Sequence, residues 1–97
     1  MLTLPIKRKW FDMILAGEKT EEYRENTAYW RKRLIIRENG EAKAPRTLIL
    51  RNGYRADSPK ALIEISGVTM GNGRPEWGAE PGKAYLRLHI VKAVKWE

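Results

Sequence analysis

Residues 17–24 read Gly-Glu-Lys-Thr-Glu-Glu-Tyr-Arg, and this octet limits what the chain can become more than any other stretch of it. A glycine after a short apolar run suits the position just past a helix end, where the left-handed conformation is common. The residues that follow alternate as a strand does, so a helix must hand over to a strand almost at once. That strand is charged in both signs. Such side chains cost free energy at a strand mouth unless they are solvated, paired or holding a ligand. In a chain of 97 residues a cluster of this kind can occupy much of the one concave surface expected. The octet therefore points to a site without saying what the site does.

The elements around it follow from periodicity. Residues 2–6 read as a short strand, with Pro5 near its end. Residues 7–16 read as a helix, because Trp10 and Ile14, and Phe11 and Leu15, lie four apart on one stripe. Residues 19–25 form the second strand. Asn26 or Thr27 can cap a second helix through Ala28, Tyr29, Trp30 and Leu34, whose basic face carries Arg31, Lys32 and Arg33. Asn39-Gly40 and Pro45 mark residues 38–46 as a loop. An apolar strand over 47–51 closes on Asn52-Gly53, and a longer strand spans 60–70. Residues 71–83 are rich in Gly and Pro, and a loop of that length in a small chain is usually functional. The last strand, 84–96, sets Leu86, Leu88 and Ile90 on one face and Tyr85, Arg87, His89 and Val91 on the other. Strands and helices do not alternate regularly, which argues against a doubly wound parallel sheet. The expected fold is α+β: one domain over 1–97, a small, mostly antiparallel barrel of about five strands with two flanking helices.

Composition removes several function classes. There is no cysteine, so disulfides, thiolate metal sites and thiol catalysis are excluded together. With one histidine and no calcium-loop spacing of acids, neither a metal nor a cofactor is expected. His89, the only histidine, shares its strand face with Tyr85 and Arg87 and fits a structural or solvated role better than a catalytic one. Gly71-Asn72-Gly73 is too short to cradle a phosphate. The N-terminal Met-Leu-Thr-Leu-Pro-Ile precedes Lys7, Arg8 and Lys9, the reverse of a signal peptide, and no apolar segment approaches a membrane span. A soluble, cytoplasmic protein is the expectation, with its oligomeric state left open. The net charge of +7 favours a polyanionic partner: RNA, DNA or a phosphorylated small molecule. Its bland counterpart is solubility.

On a strand, Thr20, Glu22 and Arg24 project to one side and Glu21 and Tyr23 to the other. Glu22 and Arg24 are then close enough to pair, with Lys19 at the strand entrance. A lysine beside a carboxylate keeps its proton and can grip a phosphate or carbonyl. A lysine beside an arginine loses its proton more readily and can serve as base or nucleophile. An ordinary ion-pair row along an edge strand is the third possibility.

The pattern Gly-x-Lys-x-x-Glu-x-Arg after an apolar helix (Gly17, Lys19, Glu22, Arg24) resembles the signature of the ASCH family, named for activating signal cointegrator homology and grouped with the PUA-like barrels. Leu4-Pro5-Ile6, the run Phe11–Ala16, Leu50–Tyr54 and Trp77–Ala79 are also similar to family segments, so the likeness spans most of the chain. The resemblance implies a small β-barrel whose cleft is lined by the motif and takes RNA or a nucleotide-like ligand. Some relatives resemble ribonucleases. One branch of small members hydrolyses the N4-acyl group of acetylated cytidine with the motif lysine, a threonine and a further glutamate. Here Lys19 stands at the lysine, but Glu22 stands at the threonine and Thr20 is one step displaced toward the helix, so that branch's nucleophile is missing.

A second constellation is basic and aromatic: Trp30, Arg31, Lys32, Arg33 and Arg37, with Arg51, Asn52, Tyr54 and Arg55 farther on. Aromatic faces stack bases and basic groups hold phosphates, together a single-strand surface. Trp30 also fits the core beneath its helix. The long loop adds Arg74, Glu76, Trp77 and Glu80, with Trp77 either a lid or stacking platform or an anchor for the loop. The functional expectation is an RNA- or nucleotide-binding cleft of Lys19, Glu22 and Arg24, walled by Arg51, Asn52, Tyr54 and Trp77. Lys19 and Arg24 would meet phosphate or carbonyl oxygens, and Tyr54 or Trp77 would stack on a base. The rivals are a small hydrolase of RNA or a modified nucleoside, with Lys19 as base and Glu22 or Glu76 as its acid partner, and a protein-interaction module.

Overall fold

The two strands with the clearest alternation are the longest elements and the centre of the fold. In a computed structural model describing residues 1–96, β6 (Lys60–Asn72) and β7 (Ala84–Trp96) pair antiparallel along their whole length, from Lys60 opposite Trp96 to Asn72 opposite Ala84. The register shifts between Glu64 and Gly67, an irregularity of the kind that bends a strand and increases its twist. β5 (Thr47–Arg51) lies antiparallel to the first part of β6, and β1 (Thr3–Pro5) lies parallel to β5. On the other side, β2 (Glu21–Glu25) lies antiparallel to the start of β7. The order is β1-β5-β6-β7-β2, a mostly antiparallel sheet of five strands, and the α+β expectation holds at that level.

The barrel expectation is corrected. No backbone ladder joins β1 to β2, so the sheet remains open between its two edges. β1 is three residues long and ends on Pro5, which has no N–H to give to a ladder. A side chain spans the gap instead: Arg24 Nη2 of β2 donates to the Pro5 carbonyl at 2.6 Å.

Helix α1 (Arg8–Leu15) buries Phe11 and Ile14, and Gly17 follows with φ of 78°, as its sequence position requires. Helix α2 (Ala28–Leu34) is capped by Thr27, whose Oγ1 accepts from the Trp30 amide at 3.3 Å. Trp30 packs half-buried against the core beside fully buried Leu34. The expected loop at 38–46 is corrected in part. It contains most of a hairpin, β3 (Ile36–Glu38) and β4 (Glu41–Lys43), turning on Asn39 and Gly40 at φ of 53° and 82°, the positive values a two-residue hairpin turn needs.

The main core gathers Leu4, Phe11, Ile14, Leu48, Ile63 and Leu88 from every layer of the fold. A separate small cluster of Tyr23, Ala79 and Tyr85, with Trp77 against it, ties the 73–83 loop to the sheet. Tyr23 and Tyr85 each accept a loop amide on the phenol oxygen, from Arg74 at 3.0 Å and Glu80 at 2.9 Å. Among the described residues no helix is long and apolar enough to cross a membrane.

Candidate functional site

The left-handed turn at Gly17 swings the chain back over the end of α1, where the Glu18 and Lys19 amides both reach the Met13 carbonyl. That reversal drives the Lys19 side chain inward. Its ammonium is fully buried, donating to Glu22 Oε1 at 2.8 Å and to the Trp77 carbonyl at 3.0 Å. It faces the rings of Tyr23 and Trp10 at 4.9 and 5.3 Å. Glu22 is also buried, and its Oε2 accepts from Arg24 Nη1 at 2.7 Å. The Arg24 guanidinium donates further to the carbonyls of Tyr23 and Pro5 and lies over the Trp30 ring at 5.3 Å. One chain of charge-assisted bonds thus runs from the Trp77 carbonyl through Lys19, Glu22 and Arg24 to the Pro5 carbonyl. It links the long loop to both edges of the sheet.

The expected convergence of Lys19, Glu22, Arg24 and Trp77 is present, and the ion-pair row on an open strand face is not. Glu22 stands between two cations, so the cluster carries a net positive charge. Burial pulls the Lys19 amine below its ordinary pKa; the Glu22 carboxylate opposes that shift, and Arg24 adds to it.

A cleft of about 280 Å³ opens beside this chain of bonds. Pro5, Ile6 and Lys7 line it from the β1 side and Glu22 and Arg24 from β2, with Gly78 and the aromatic residues Trp10, Tyr23, Trp77 and Tyr85 completing the lining. Lys19 does not line it. Its ammonium donates to two protein groups behind the wall, so in this arrangement it positions Glu22 and holds the loop.

Other expected wall residues lie elsewhere. Asn52 donates to the Ile6 carbonyl at 2.9 Å, steadying one wall without lining it. Arg51 reaches the Arg55 carbonyl within its own turn, and its buried Nε makes no hydrogen bond. Tyr54 is 86% exposed and lines no part of the cleft. Glu76 is exposed on the loop and makes no side-chain hydrogen bond or ion pair among the described residues, so nothing couples it to Lys19. Trp77 anchors the loop, as one of its two expected roles has it, and also lines the cleft, with Arg74 over its ring at 4.7 Å.

Sequence reasoning missed Lys7, Trp10, Tyr23 and Tyr85 as cleft residues. Their only signal was aromatic or basic character: Lys7 and Trp10 at the start of the helix that leads into the octet, Tyr23 within it, and Tyr85 on the strand that pairs with β2.

A second polar network crosses the sheet. His89 Nε2 lies 2.6 Å from Thr69 Oγ1, which also accepts from Arg87 Nε at 3.0 Å. The Glu21 carboxylate is 3.7 Å from His89 Nδ1, too far for a hydrogen bond that would orient the imidazole. None of these four side chains lines the cleft, and their arrangement is that of a cross-strand polar ladder. Among the described residues no group of histidine and carboxylate side chains is placed to hold a metal ion.

Tyr23, which donates to Glu21 Oε1 at 2.8 Å, gives the site a pH signature. Burial, helped by that carboxylate and opposed by the Arg74 amide, pushes its phenol up to about 12 from 10.0. Between those values the unfolded chain has lost the proton and the folded chain still holds it, so stability falls as pH rises. The loss integrates to about 3 kcal/mol. Denaturant titrations across this window should show the fall in wild type and a shallower one in Tyr23→Phe. Parallel profiles would assign the alkaline loss to other groups.

Comparison with family models, with curated proteins and with solved structures finds no match to the chain.

Proposed function

We propose that this chain is an RNA-binding domain of the ASCH, PUA-like type that holds one nucleotide portion of its ligand in the cleft between β1, β2 and the long loop. The observation that carries the reading is the lining of the cleft: four aromatic residues together with an arginine whose orientation is fixed by three hydrogen bonds. Arg24 has five N–H donors and uses three on Glu22 and the carbonyls of Tyr23 and Pro5. The remaining donors suit phosphate or base-carbonyl oxygens, and Lys7 adds a second cation at the rim. Trp10 and Trp77, in the lining, are the residues that would stack on a base. The volume lies near the lower end of the usual range for small-molecule sites, roughly 300–1,000 Å³, which suits one nucleotide portion and not a longer stretch. The motif residues that resemble the ASCH signature support the family reading, since they form the connected chain that backs this cleft. The enclosure of Lys19 favours binding over hydrolysis, because a base or nucleophile must reach the atom it attacks.

The test is a titration of 5′-mononucleotides followed by tryptophan fluorescence. Quenching in wild type is expected, and Trp10→Leu should weaken affinity at least about fivefold, the lower end of what one lost stacking face is worth. Circular dichroism checks that the variant folds. No quenching at millimolar nucleotide, or equal affinity in the folded variant, defeats the proposal. Turnover of labelled RNA or acetylated cytidine by wild type that vanishes in a folded Lys19→Met protein would replace binding with the hydrolase reading.

A further inference from the structure

A concavity larger than the cleft, about 930 Å³, runs between α2, the β3–β4 hairpin and the second half of β6. Five cations line it: Arg31 and Lys32 from α2, Arg37 and Lys43 from the hairpin, and Arg46 from the lead into β5. No carboxylate does. Arg31 is tied to Asn26, and Lys43 stands 3.9 Å from Glu38. Lys32, Arg37 and Arg46 make no side-chain hydrogen bond or ion pair among the described residues. Cations in the last turn of a helix offset its dipole, which accounts for Arg31 and Lys32 without any ligand. It does not account for the other three, since strands have almost no net dipole. Like charges from three separate elements have been brought around one hollow, where their repulsion is relieved by an anionic occupant.

The floor of the hollow is apolar, with Leu34, Ile65 and Val68 among its residues. β5 pairs with β6 only as far as Glu64, so beyond Arg46, whose carbonyl accepts the Ile65 amide, this edge of β6 has no strand partner. A Cβ added at Gly67 would meet nothing within 4 Å, so the backbone there is open to an incoming group. The groove and the cleft share a border: Arg24 of the cleft lies over Trp30, and the next two residues of α2 line the groove.

We infer that this groove is a second track, which takes the phosphodiester backbone of a single-stranded RNA on its five cations and the bases against its apolar floor. The inference deepens the proposed function and rests on it for the nucleotide held in the cleft. A duplex hides its bases and would leave the apolar floor uncovered. An acidic peptide adding as a strand would use the backbone edge of β6 and would leave the cations of α2, away from that edge, without a partner.

The test measures fluorescence anisotropy of labelled oligouridylate over a series of salt concentrations, for wild type and for the triple variant Lys32→Gln, Arg37→Gln, Arg46→Gln. Three lost phosphate contacts should flatten the slope of log affinity against log salt by about 2. Affinity at low salt should fall at least about tenfold. Mononucleotide quenching of the cleft tryptophans should be unchanged, because none of the three residues lines the cleft. If mononucleotides fail to bind while the triple variant still flattens the slope, the cleft reading fails and the groove stands. Unaltered slope and affinity overturn the groove. So does duplex RNA, a polyglutamate peptide or a phosphatidylserine vesicle that binds as tightly as the oligonucleotide and loses its affinity in the triple variant.

Discussion

Lys19→Met should destabilise the domain by about 3–5 kcal/mol, the range for breaking a buried ion pair by removing one partner, and lower its melting temperature by on the order of 20 °C. Methionine nearly matches the lysine stem in length, so the loss is electrostatic and not a cavity. It strips donors from two acceptors away from water: Glu22 Oε1 and the Trp77 carbonyl. A buried acceptor left unsatisfied costs about 1–3 kcal/mol, and the contacts of the ammonium with the Tyr23 and Trp10 rings disappear as well. Two effects pull toward the low end of the range. Arg24 still neutralises Glu22 through Oε2, and the desolvation that lowers the Lys19 pKa is relieved. The pairwise part can be isolated with Glu22→Gln: its penalty should shrink by at least about 1 kcal/mol when measured in the Lys19→Met background. Freed of its anchor, the loop should expose Trp77 and red-shift the tryptophan emission. A Lys19→Met protein that melts within a few degrees of wild type would mean that the ammonium is not sealed behind the cleft.

This site was partly visible in the sequence, and the boundary is physical. The spacing of Glu22 and Arg24 on a strand predicts their pairing, and the ion pair is there at 2.7 Å. Gly17 predicts the turn that delivers Lys19. What spacing does not predict is that Lys19 is buried, because the group that closes over it is the carbonyl of Trp77, far along the chain. The same loop explains Tyr23. Alternation puts it on the opposite side of β2 from Glu22, yet both are buried, since the core covers one face and the 73–83 loop covers the other.

The fold divides in the same way. The strands that alternate, β5, β6 and β7, stand where their patterns put them. The hairpin at 36–43 has six strand residues, all exposed, so no apolar period announces it, and only Asn39-Gly40 gave a local signal. Barrel closure depends on two short edges meeting in register, and the proline that ends β1 removes a donor from that encounter. The cations of α2 could be read as a basic helix face. Arg37 could be grouped with them along the chain, but that Lys43 and Arg46 join them around one groove depends on how the hairpin folds back, and no spacing rule reports it.

Gly78→Ala should cost about 3 kcal/mol, and the comparison that proves the cause is Gly82→Ala. Both glycines sit in the long loop with positive φ, 99° and 77°, so alanine is strained at each by about 1–2 kcal/mol. Their surroundings differ. A Cβ at Gly82 meets nothing within 4 Å, whereas one at Gly78 would lie 2.9 Å from Trp10 Cζ2 and 3.0 Å from Cε2. The contacted atoms belong to a bulky ring on α1, packed against the main core and facing the Lys19 ammonium, so relief requires the ring or the loop to move. Overpacking of this kind costs about 1–3 kcal/mol beyond the backbone strain. Denaturant midpoints for the two variants should therefore separate by about 2 kcal/mol. The separation should carry into binding, because Gly78 and Trp10 line the same cleft: nucleotide affinity should drop in Gly78→Ala and stay at the wild-type level in Gly82→Ala. Equal losses of stability at the two positions would show that Trp10 swings aside freely. The cleft would then not be a preformed slot walled by that ring, and the stacking role given to Trp10 would fall with it.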